Sequence, residues 1–214
     1  MATVAYSTFF PFLIPLVPHV ADPVAEQAIR DTCIEFCKES LIWQTPIDPI
    51  SSTAGEAVYQ LDVPTNANLA HVVDLYYNNA RLAKKSVSEI ASKFTRDWMQ
   101  SVGTPTVFTM LNPNEITLVS KPDRSVLDAI TGILAYAPMR KSTGIIDYIY
   151  EDYAEEIARG AAARLMMIPN QQWTDPKMAL GYRKQFMSDM SNARAHVNQG
   201  QMRAPISVHL RRFW

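Results

Sequence analysis

Glycine, cysteine and histidine are all scarce in this chain, and each scarcity removes a class of chemistry. The seven glycines among 214 residues stand apart at 55, 103, 132, 144, 160, 181 and 200. A phosphate cradle needs clustered glycines that expose backbone N–H groups, so neither a Walker loop nor a dinucleotide fingerprint is present. The two cysteines, Cys33 and Cys37, lie four apart in a helical pattern, on one face and in poor geometry for a disulfide. They read as small buried thiols, and no Cys or His cluster beside them completes a zinc site. The four histidines, at 19, 71, 196 and 209, stand alone, with no G-x-S-x-G or H-E-x-x-H sequence. Nothing pairs a nucleophile with a base, so no catalytic residue, metal ligand or cofactor is expected.

Excess charge is also missing. Twenty Lys and Arg against 21 Asp and Glu leave −1, and the whole chain does not advertise a nucleic-acid partner. The opening "MATVAYSTFFPFLIPLVPHV" has the hydrophobicity of a signal peptide without its basic n-region. Pro11, Pro15 and Pro18 break the run that a membrane-spanning helix of ~20 residues requires. Residues 1–21 read as an extended arm packed on the fold, and no membrane partner is expected. What is present is the composition of a folded protein, 48% hydrophobic and 10% aromatic. The length suits one core plus a small subdomain.

Asp22 and Pro23 signal a helix start, with Asp22 as its cap. Ala25, Ala28, Ile29, Thr32, Cys33, Phe36, Cys37, Ser40 and Leu41 then recur at spacings of three and four, predicting a five-turn helix that ends near Trp43. From Thr45 the texture changes to scattered prolines, turn residues and the alternating "AVYQLDV", which predicts short strands and turns. Within that region "KSVSEIASKFTRDWMQSVG" returns to helical spacing at Val87, Ile90, Ala91, Phe94 and Trp98, with Ser86 and Glu89 fitting a capping box. "NPNE" between two β-rich runs signals a hairpin, and "GILAYAP" another strand. Two more helices follow. One runs through Tyr150, Tyr153, Ala154, Ile157, Ala158, Ala161, Leu165 and Ile168, capped by Asp147. The other runs through Ala179, Tyr182, Phe186, Met190, Ala193 and Val197, starting at Thr174–Pro176 and closed by Gly200.

These elements predict an α+β chain that is mainly α: a helical bundle with a β-rich insertion and extended N- and C-terminal arms. The bundle takes residues 1–44 and 139–200 as one discontinuous domain. The insertion takes 45–138 with a helix at about 86–102, and the C-terminal arm takes 201–214.

Two patches invite a functional reading. Asp147, Glu151, Asp152, Glu155 and Glu156 supply the paired acids that a cell-wall-glycan hydrolase would use. Glu151 and Glu155, however, fall opposite Tyr150, Tyr153 and Ile157, as on a solvated or partner-facing helix side. The C-terminal "QMRAPISVHLRRFW" carries Arg203, Arg211 and Arg212 with no acid, so the acidic excess belongs to the rest of the chain. A small nucleic-acid module could work through those arginines with Phe213 or Trp214 stacking. Ile206, Val208 and Leu210 alternate with Ser207, His209 and Arg211, suiting an extended strand, while Ile206, Leu210 and Phe213 also suit a short helix. Either way, Arg203, Ile206, Val208, Leu210, Arg211, Arg212, Phe213 and Trp214 read as an interface anchor for a neighbouring protein, because Trp and Arg dominate hot spots. The alternative is that the tail folds back on its own bundle.

The order of "LIPLVPHV", "VAEQAIRDTCIEFCKESLIWQ", "AVYQLDVP", "VGTPTVFTM", "ITLVSKPD" and the closing "YAEEIARGAAARLMMIPNQQWTDPKMALGYRKQFMSDMSNAR" resembles the head-to-tail adaptor (neck, connector or tail-tubular adaptor) proteins of tailed bacteriophages. The resemblance covers nearly the whole chain without any catalytic signature. It implies a structural virion protein, made in the host cytoplasm and placed in the neck between capsid and tail. There it would form a homo-oligomeric ring, commonly a dodecamer, between the portal protein and a tail nozzle or tail tube protein. DNA would pass its channel without sequence-specific binding. It further implies that Gly200–Trp214 grips the portal.

Overall fold

The computed structural model describes residues 2–93 and 98–200. In chain order their elements are β1 (Thr3–Ala5), α1 (Phe10–Leu13), α2 (Asp22–Ser40), β2 (Gln44–Pro46), β3 (Ile50–Ser52), β4 (Val58–Gln60) and β5 (Ala67–Tyr77). There follow β6 (Ala80–Arg81), β7 (Ala83–Lys84), α3 (Val87–Lys93), β8 (Val107–Thr109), β9 (Glu115–Val119), β10 (Val126–Pro138), β11 (Gly144–Ile146), α4 (Asp147–Met166) and α5 (Pro176–Gln199). The chain divides into two compact units, one from the residues up to Ile42 and from Pro138 onward, the other Trp43–Ala137.

In the first unit α2, α4 and α5 pack on one another. The face that α2 buries comprises Ala25, Ala28, Ile29, Thr32, Cys33, Phe36, Cys37 and Ser40, the positions its spacing predicted. Two of these are hydroxyls, and each bonds one turn back, Thr32 to the Ala28 carbonyl at 2.7 Å and Ser40 to the Phe36 carbonyl at 2.6 Å. Leu41 lies outside the helix as its left-handed C-cap, at φ 55°, so α2 stops short of Trp43. Asp22 and Asp147 do not cap their helices; Ala21 and Ile146 hold those positions without a side-chain bond. Both acids sit instead in the first turn, where they complement the helix dipole. On α5 the cap is real, since the Asp175 carboxylate accepts the Met178 N–H at 3.0 Å. Asp175→Ala should therefore cost about 1 kcal/mol, read as a lower urea midpoint with an unchanged slope. The α5 positions Ala179, Phe186, Met190 and Ala193 are buried, and Gly200 ends the helix at φ 70°.

The expected extended N-terminal arm is overturned. Only β1 is extended, paired antiparallel with β11 from Thr3↔Ile146 to Ala5↔Gly144. Tyr6–Phe9 then forms a 3-10 turn leading into α1. Pro11 falls in the first turn of α1, where a missing N–H costs nothing. Tyr6, Phe9, Leu13 and Val17 are fully buried, so this segment is core. The Tyr6 hydroxyl bonds Ser142 Oγ at 2.6 Å, and Phe9 meets Tyr150 edge-on at 5.0 Å.

The second unit is built on two sheets. One has the order β2-β10-β5-β6, with β3 also on β10; the other has the order β4-β9-β8-β7. The β5–β6 hairpin turns on Asn78 and Asn79, both at positive φ, the geometry that two-residue hairpins prefer. β8 and β9 pair antiparallel around the "NPNE" turn, Val107 opposite Val119. Ile90 of α3 joins Trp98, Val107 and Val119 in a small apolar cluster. The Ser86 hydroxyl accepts the Glu89 N–H at 3.3 Å, one half of the expected capping box. Trp98 belongs to a separate 3-10 turn, Trp98–Gln100, and Phe94 lies outside the described residues.

With 41% helix, 27% strand and, among the described residues, sheets of two, five and four strands, the protein is α+β with substantial sheet and not a mainly helical bundle. The excess comes from β5 and β10, of 11 and 13 residues. Their buried positions do not alternate strictly, and β10 carries a register shift between Val126 and Ile130 with Asp128 at φ 51°. A bulge of this kind hides the period-two signal that marks a strand in sequence.

Candidate functional site

A cleft of about 500 Å³ opens where α2, α4 and α5 meet, lined by Glu35, Ala163, Arg164, Met167, Ala179, Leu180 and Arg183. Its apolar part includes two small buried residues, Ala163 and Ala179. Met167 and Leu180 stand beside them, 55% and 65% exposed. The polar rim is a clamp on one carboxylate. Arg183 engages both oxygens of Glu35, its Nη1 donating to Oε2 at 2.9 Å, and Arg164 donates to the same Oε2. Burial works to raise the Glu35 carboxyl, but the Arg183 bond, followed by the Arg164 charge, outweighs it and holds the group below the usual carboxylate range. The same bond raises Arg183, whose guanidinium also lies 5.8 Å from the Phe186 ring centre. Two guanidiniums on one carboxylate leave the rim positive, beside apolar walls. That combination suits an acidic, apolar protein surface.

Along α5 the positive and apolar character continues. Lys177, Leu180, Lys184 and Met187 recur at spacings of three, four and three, and all four are exposed. Met187 is 53% exposed. Periodicity assigned Ala179, Tyr182, Phe186, Met190, Ala193 and Val197 to the buried stripe, of which Tyr182 and Val197 are only half-buried, and so passed over this second, outward one.

A smaller cleft of about 300 Å³ belongs to the sheet unit, along Asp74, Arg81 and Lys84. The Lys84 ammonium lies 3.4 Å from His71 Nδ1 and is lowered by burial, while Arg81 pairs with Asp74.

The acids of α4 divide between solvent and salt bridges. Asp147, Glu151, Asp152 and Glu155 are exposed. Arg159 pairs with Glu155 at 3.8 Å, Glu156 at 3.5 Å and Asp189 at 3.1 Å, tying α4 to α5. Among the described residues no three His, Cys, Asp or Glu side chains converge to hold a metal ion. Cys33 and Cys37 are free and fully buried, and burial pushes both thiols up. Among the described residues no helix is long and apolar enough to cross a membrane. The tail residues Arg203, Ile206, Val208, Leu210, Arg211, Arg212, Phe213 and Trp214 lie outside the described residues.

The chain matches no protein-family model and no curated protein at a significant level.

Proposed function

We propose that this protein is a structural joining subunit of a tailed-phage neck, placed as a homo-oligomeric ring between the portal and the tail, with DNA passing through. The observation that carries the reading is the outward stripe of α5. A solvated helix face has no use for Leu180 and Met187 beside an open apolar cleft, whereas a subunit that joins proteins does. In sequence, α5 is followed by the basic, aromatic residues 201–214, the expected portal grip. The resemblance of the sequence to head-to-tail adaptors supplies the partners: portal on one side, a nozzle or tube protein on the other.

Removing residues 201–214 tests the reading. The truncated protein should keep its circular dichroism spectrum, because no described core residue is lost, and should no longer be retained by immobilised portal. Retention with unchanged affinity would defeat the proposed role of this segment.

A further inference from the structure

The helical unit presents two faces of opposite character. The first is the cleft with the outward stripe of α5, where Arg164, Lys177, Arg183 and Lys184 outnumber Glu35, Glu39 and Asp175 around exposed Met167, Leu180 and Met187. The second is the start of α4. Asp147, Glu151, Asp152 and Glu155 are exposed there, and no Lys or Arg occurs between residues 147 and 158. Arg159, one turn beyond, is the cation on its edge, 3.8 Å from Glu155 and shared with Glu156 and Asp189. It also has an apolar border, since Tyr150 holds Phe12 edge-on at 6.3 Å, with Phe12 and Ile14 36% and 45% exposed. Glu155 and Arg164 are nine residues apart on one helix, about two and a half turns at 3.6 per turn. Both follow the break in α4 at Tyr153, so they point to opposite sides. One chain therefore cannot bring its own two faces together.

We propose that copies of this protein join head to tail, the basic and apolar face of α5 on one copy receiving the acidic start of α4 on the next. This rests on the ring reading above and names the surfaces that would form the ring. Charge selects the arrangement. Two-fold pairing would set like face against like, which is repulsive, whereas the heterologous contact sets each face against its complement. A heterologous contact closes into a ring or runs on as a filament according to its rotation, so a device this simple can build a ring from one kind of subunit. The apolar parts of both faces supply the area, and the charges supply register and direction.

Charge reversal tests this on the full-length protein by sedimentation velocity across a concentration series. Lys177→Glu with Lys184→Glu reverses one face, and Glu151→Lys with Glu155→Lys reverses the other. All four side chains are exposed, and an unchanged thermal midpoint verifies folding. Each double variant alone should self-associate about a hundredfold more weakly than wild type, because like charges then meet across the contact. An equimolar mixture should regain association, since each variant keeps the face that the other needs. Leu180→Ser, which alters no charge, should weaken association without making the mixture effect. If either double variant assembles as wild type does, or the mixture gains nothing, these faces are not the contact, although a ring made by other surfaces would stand. A wild type that stays monomeric to millimolar concentration would give the face to a different molecule and overturn the proposal. Portal binding by that monomer would still support the neck reading.

Discussion

Gly160→Val should destabilise the protein by about 3 kcal/mol or more, the order expected when a tight core is overpacked by a branched side chain. Gly160 stands on α4 against Thr32 of α2 and Phe186 of α5. A Cβ placed there would lie 2.6 Å from Thr32 Cγ2 and 2.8 Å from Phe186 Cδ2. Neither neighbour can yield easily: Thr32 is β-branched, fully buried and bonded to the Ala28 carbonyl, and Phe186 is fully buried beside Phe36. Alanine poses the sharper question, because it favours the helix by up to ~1 kcal/mol over glycine while the clash costs ~1–3 kcal/mol. The steric cost wins on these distances, so Gly160→Ala should also unfold at lower urea. Phe186→Leu, which trims the ring that meets the new methyl, should recover part of the loss, making the two changes less than additive. An alanine variant more stable than wild type would show that the three helices separate freely at this crossing.

That crossing explains why some elements were legible in the sequence and others were not. The buried stripe of α5 follows from spacing alone, because Ala179, Phe186, Met190 and Ala193 all face one way toward α2 and α4. The β8–β9 hairpin was legible for a similar local reason, its turn chemistry falling between two β-rich runs. By contrast, β5 buries Ala67, Val72, Leu75 and Tyr77 at unequal spacing, and the alternation that defines a strand is lost over its length. The N-terminal prolines were misleading because a proline forbids only a helix interior, and α1 is one turn with Pro11 at its start. The clamp on Glu35 had no sequence signal at all. Its partners lie 129 and 148 residues away, and each charge read alone looks like part of a solvated helix face. The outward stripe of Leu180 and Met187 was visible as residues but not as exposed ones, since a helical wheel shows which residues share a face but not which neighbours cover it.

Glu35→Gln should lower stability by about 1–2 kcal/mol at pH 7, a figure reduced from that of a buried pair because Arg164 and Arg183 are 39% and 40% exposed. Glutamine keeps the size of the side chain and removes the charge, leaving two guanidiniums close together without the carboxylate they share, and only Glu39 acting on Arg183. The pH dependence separates this electrostatic loss from a packing one. A carboxyl whose folded pKa is depressed contributes stability above its unfolded value, about 4.3, and loses it as pH falls through the lower folded value. Protonated Glu35 then resembles glutamine, so wild type and variant should converge in acid and diverge as pH rises toward neutrality. Urea midpoints of the two proteins compared from pH 3 to pH 7 give the measurement, and a difference that stayed constant across that range would mean that packing, not charge, holds the clamp. Removing one cation should relieve the variant: Glu35→Gln with Arg164→Leu should be less destabilised than the sum of the two changes, since the repulsion left by the first is absent in the second. The clamp joins α2, α4 and α5 on the rim of the exposed cleft, so its loss at low pH would loosen the same surface that the neighbouring copy is proposed to use.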